Sequence, residues 1–108
     1  MEIKQLTKGE RVPVDISEWS EVEAYARPLN GLEQLVFNDY FLDFQDRAKS
    51  IDDRFEAGFS AALMLLTDSE GTPLLTDDDR AAVKGASATP LLRVFTAGLR
   101  GYDTAKKN

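Results

Sequence analysis

Three helix-start signatures punctuate this chain, and they commit it to a mainly helical fold. Asn30 offers an N-cap oxygen, and Glu33, three positions later, can reach back to it in the reciprocal pairing of a capping box. Thr76 is followed by Asp77, Asp78 and Asp79, which fill the first turn of a helix at its positive end. Thr89 is followed by Pro90, a residue that loses no needed donor at the first helical position.

From these starts the spacing predicts a helix from Asn30 to about Ala48. A second runs from about Ile51 to Leu66, with Ile51, Phe55, Phe59, Ala62 and Leu66 on one face and Asp52 and Asp53 near its start. Gly58 falls on that same face, where a missing side chain lets another helix approach. A short helix reaches from Thr76 to about Lys84 and is ended by Gly85. The last starts at Thr89 and Pro90, with Leu91, Phe95, Leu99 and Tyr102 as its buried stripe. Between the second and third helices, Asp68, Ser69, Gly71 and Pro73 supply turn chemistry.

Upstream of Asn30 the pattern changes. Val12, Val14 and Ile16 alternate with polar or proline positions, and Lys8 and Gly9 punctuate the segment, which reads as a β-hairpin over residues 1–16. Pro13 confines its strand to a sheet edge. Residues 21–27 fit a third strand or a short helical turn, the strand being preferred. The expected fold is thus a small, mainly α domain of about four helices with a short N-terminal hairpin or strands, an α+β arrangement. It is one domain over residues 1–102, extended over 1–27 and helical over 30–102, with a disordered tail at 103–108.

The residue inventory narrows the chemistry. The 108 residues include no cysteine and no histidine, which removes disulfides, thiolate metal sites and the nucleophilic triads that need either residue. A net charge of -6 repels phosphates and anionic lipid heads, so neither nucleic acid nor membrane is an expected partner. Residues 1–10 hold no apolar leader core, and the longest apolar run, Ala61 to Leu66, falls far short of a membrane span. The chain is therefore expected in the cytoplasm.

Acidic clusters invite a catalytic or metal reading. Asp77, Asp78 and Asp79 directly follow a capping threonine, so helix-end electrostatics explains them. The turn Asp68-Ser69-Glu70-Gly71 puts Leu66 where a calcium loop needs its first acidic ligand. Pairs such as Asp43 with Asp46 have no base or phosphate loop beside them. No enzyme activity, cofactor or metal ligand is expected.

The first helix is the most informative. Phe37, Tyr40, Phe41 and Phe44 lie on one side and Leu35 and Leu42 on another, an apolar arc wider than one-sided packing needs at about 100° per residue. Either one face is free for a partner, or the helix is central and covered all round. The aromatic residues Phe37, Tyr40, Phe41 and Phe44 are the candidate partner contacts.

The run Ala61-Ala62-Leu63-Met64-Leu65-Leu66, the turn Thr67-Asp68-Ser69-Glu70-Gly71-Thr72-Pro73-Leu74-Leu75, the acidic start Thr76-Asp77-Asp78-Asp79 and a final helix from Pro90 to Gly101 follow in order. In that order and spacing the chain resembles the tail assembly chaperones of long-tailed, siphovirus-type bacteriophages. Leu92-Arg93-Val94-Phe95 and Leu99-Arg100-Gly101 match the character of the family's final helix. The resemblance covers about Ala48 to Gly101, with Leu75 standing where an aromatic residue is common.

The resemblance implies a non-enzymatic protein of the host cytoplasm, absent from the finished virion. It would hold the tape measure protein during tail morphogenesis, with the tail tube protein and a second copy of the chain as further partners. It also implies that ribosomal slippage at Lys106 and Lys107 could yield a longer second product. The competing reading is a small structural or head-to-tail joining protein that stays in the particle.

Overall fold

The computed structural model describes the backbone of residues 11–106 and the side chains of residues 11–100. Among the described residues the chain forms a three-stranded antiparallel sheet and four α-helices. The sheet contains β1 (Val12–Val14), β2 (Ala24–Ala26) and β3 (Leu66–Thr67), with β2 in the middle. The helices are α1 (Gly31–Gln45), α2 (Ile51–Leu65), α3 (Arg80–Lys84) and α4 (Thr89–Lys106).

Of the expected hairpin over residues 1–16, the second limb is present as β1. Val12 pairs with Ala26 and Val14 with Ala24, so the partner of β1 lies downstream. The first limb of that hairpin, residues 1–10, lies outside the described residues. Pro13 sits in an edge strand, where its missing N–H costs no ladder bond. The preferred strand in residues 21–27 is present as β2, and Leu66 pairs with Ala26 on its other side.

α1 and α2 each begin where a side chain caps the free N–H groups. Asn30 Oδ1 accepts the Glu33 N–H at 2.9 Å, while the Glu33 carboxylate accepts the Asn30 N–H at 3.0 Å. α1 stops at Gln45, three residues short of the expected Ala48. Asp46 supplies the reason: its carboxylate accepts the Ala48 N–H at 2.9 Å, a local turn that competes with another helical turn. Ser50 Oγ caps α2 by accepting the Asp53 N–H at 3.1 Å.

α2 ends at Leu65 because Leu66 takes an extended backbone and joins the sheet. Leu66 is buried there as a strand residue, which corrects its place on the helical stripe. Ile51 is corrected too: it lies in the first turn and is 74% exposed, while Phe59, Ala62 and Leu65 are buried.

The turn after β3 is tightly built. Asp68 Oδ1 accepts the N–H groups of Glu70 and Thr72 at 2.8 and 3.0 Å, and Gly71 takes a φ of 87°. The chain then runs back beside β3, with the Leu74 N–H donating to Leu66 O at 3.1 Å.

Thr76 opens a single 3-10 turn, Asp77–Asp79, that leads into α3. Arg80 and Lys84 on α3 lie over the Phe59 and Phe55 rings of α2 at 4.9 and 5.7 Å. They also pair with Glu56 and Asp52, both at 3.0 Å. The matched i, i+4 spacing on both helices fixes how α3 sits.

α4 buries Leu91, Val94, Phe95 and Ala97, and Leu99 is half-buried. The expected stripe missed Val94, and the Tyr102 side chain lies outside the described residues. The helix continues to Lys106, into the segment expected as a tail at 103–108, whose last two residues lie outside the described ones; no proline or glycine interrupts residues 102–106.

The core lies where the sheet, α1, α2 and α4 meet, with Val14, Ile16, Ala24 and Ala26 of the N-terminal part packed among Phe37, Leu65, Leu66 and Val94. Among the described residues no helix is long and apolar enough to cross a membrane.

Candidate functional site: the outward face of α1

α1 and α2 lie antiparallel, held at both ends. Near the start of α1, Arg27 Nε donates to Met64 O at 2.7 Å, and its guanidinium pairs with Glu33 at 2.6 Å. Near the end of α1, Arg54 Nε donates to Phe44 O at 2.8 Å. These contacts, together with α4, fix the rotation of α1 about its own axis.

That rotation turns the aromatic side inward. Phe37 is fully buried, while Tyr40, Phe41 and Phe44 are half-buried. The rings of Phe37, Phe41 and Phe44 converge on Phe95 of α4, with centroids 5.5, 5.3 and 4.9 Å away in tilted, edge-to-face-like geometry. Gly58 and Gly98 make room for them: a Cβ on Gly58 would come within 2.9 Å of the Phe44 ring. The four aromatic residues, named as candidate partner contacts, thus lie on the core side of α1 in this chain.

The opposite side of α1 is the one left open. Leu32, Leu35 and Leu42 are 73%, 62% and 56% exposed. With Asp39, also exposed, they follow an i, i+3, i+7, i+10 spacing that lines one helix face. Leu35 and Leu42 were legible as a second apolar side; Leu32 was missed, although the same spacing includes it.

The charge on this face is of one sign. α1 contains Glu33, Asp39 and Asp43 and no lysine or arginine. Glu33 is held by Arg27 and by the Asn30 N–H, which together keep its carboxyl below the usual range. Asp43 stands 3.6 Å from Lys49. Asp39 meets no basic side chain among the described residues.

A second apolar feature is a shallow cleft of about 230 Å³ lined by Ile16, Trp19, Val22, Leu74, Leu75 and Val83. The Trp19 indole N–H donates to Ser87 O at 2.8 Å, which anchors one wall to the segment before α4. Arg93 of α4 grips the same N-terminal segment through Glu18 at 2.5 Å and the Asp15 carbonyl at 2.9 Å.

The acidic residues weighed as metal ligands are placed otherwise. Asp79 accepts the Thr76 N–H at 2.8 Å and Asp77 pairs with Arg80 at 3.3 Å. Among the described residues no three acidic side chains converge in a way that could hold a metal ion. No protein-family model, curated protein or solved structure matches this chain.

Proposed function

We propose that this chain is a tail assembly chaperone of a long-tailed bacteriophage, a protein that binds the tape measure protein and performs no chemical step. The observation that carries the reading is the exposed Leu32, Leu35 and Leu42 face on a helix whose other side is already occupied by the core. An apolar stripe of this kind has a function when another chain covers it. The resemblance over about Ala48 to Gly101 supplies the class of client. The chaperone acts in the host cytoplasm and leaves before the virion is complete.

Co-expression with the tape measure protein encoded in the same phage genome tests this. The tape measure protein is expected in the soluble fraction and bound to the chain, and to aggregate without it. Mass spectrometry of purified virions is expected to find no trace of the chain. Its presence there in stoichiometric amount would favour a structural or head-to-tail joining protein instead.

A further inference from the structure

Leu32, Leu35, Asp39 and Leu42 occupy successive positions of a three-four repeat along the open side of α1. This is the spacing with which one helix receives another lengthwise. A second copy of α1 fits it badly. A parallel pairing in register sets Asp39 against Asp39, and an antiparallel pairing that sets Leu32 against Leu42 sets Asp39 against Leu35. The first makes two carboxylates repel each other, and both enclose a carboxylate among apolar side chains with no cation beside it.

A helix with cations at the same depth removes both costs. Asp39 stands within the leucine face with no basic side chain beside it among the described residues, in a chain of net charge -6, so complementarity selects a basic partner. We infer that the open face of α1 docks a basic amphipathic helix, with apolar side chains packing on Leu32, Leu35 and Leu42 and a Lys or Arg meeting Asp39. This deepens the chaperone reading and rests on it for the source of that helix, a segment of the client. The geometry of the face stands independently of the client's identity.

The test uses a synthetic amphipathic helix of about 20 residues, long enough to span α1. It has a leucine seam flanked by lysines, and its twin has glutamates in place of the lysines. At low salt the lysine peptide is expected to bind the full chain at least about tenfold tighter than its twin. Asp39→Lys should reverse that preference. The double variant Leu35→Gln with Leu42→Gln should lose binding while keeping the wild-type melting temperature, since glutamine is nearly as good a helix former as leucine and adds no charge beside Asp39.

Equal affinity for the two peptides, or no binding of either, overturns the inference. So does a lowered melting temperature of the double variant, because the chain would then be covering the face itself. A wild-type dimer in sedimentation equilibrium that the double variant dissociates assigns the face to a second copy, and also overturns it. If the double variant still keeps the tape measure protein soluble, this surface assignment fails and the chaperone reading stands. If the wild type binds the lysine peptide but not the tape measure protein, the reverse holds.

Discussion

The Phe37 ring occupies the space that a Cβ on Gly98 would need. Phe37 is wholly buried and Gly98 sits in the middle of α4, so neither can move without displacing Phe95 or the helix axis. Gly98→Ala should therefore destabilise the fold. Overpacking a close-packed site costs about 1–3 kcal/mol. The better helix propensity of alanine returns up to about 1 kcal/mol. Denaturant unfolding is expected to show a net loss, and an unchanged or raised midpoint would contradict this packing.

The two sides of α1 should respond oppositely to the same substitution. Removing a buried Phe typically costs about 3–5 kcal/mol, so Phe37→Asp is expected to leave the chain unfolded at room temperature. Leu35→Asp, on the 62% exposed side, should change stability by no more than about 0.5 kcal/mol. Circular dichroism melts of the two variants compare them directly. A folded Phe37→Asp variant would place the core elsewhere.

Acid should weaken the fold through carboxylates that it holds ionised. Glu33 is depressed below its ordinary value of 4.5 by Arg27 first and the Asn30 N–H second. Glu18 is depressed by Arg93, and Asp15 chiefly by the Ser17 N–H. A carboxyl whose folded pKa is depressed contributes stability above its unfolded pKa and loses it as pH falls through the folded one. Stability should thus be level above about pH 5 and fall below the ordinary carboxyl range. Glu33→Gln should lower the plateau and flatten the fall, as read from melting temperature against pH.

Thr67 gives a substitution that should stabilise. It is 2% exposed, and its Oγ1 meets no hydrogen-bond partner among the described residues. Burying an unpaired hydroxyl costs about 1–3 kcal/mol by protein mutational measures. Thr67→Val keeps the branched shape that suits β3 and removes that cost, so the melting temperature should rise. A fall would show that the hydroxyl is satisfied in solution.

The sequence alone determined where the helices start, because each start depends on residues only two or three apart. Asn30 with Glu33 and Thr76 with Asp79 satisfy backbone groups within their own segment, and no distant contact is needed to read them. The turn at Asp68 to Gly71 was legible for the same reason. Where helices end was less so: α2 yields Leu66 to a strand whose partner, Ala26, lies far upstream.

Only the tertiary structure decided which side of α1 is free. Leucines and aromatics ring that helix almost completely, so its own periodicity favours no side. The choice falls to Phe95, Gly58 and Gly98, residues of other helices that form a recess for rings and none for Leu32, Leu35 and Leu42. Close packing rewards the larger aromatic surface with the enclosed position and leaves the leucine face to solvent.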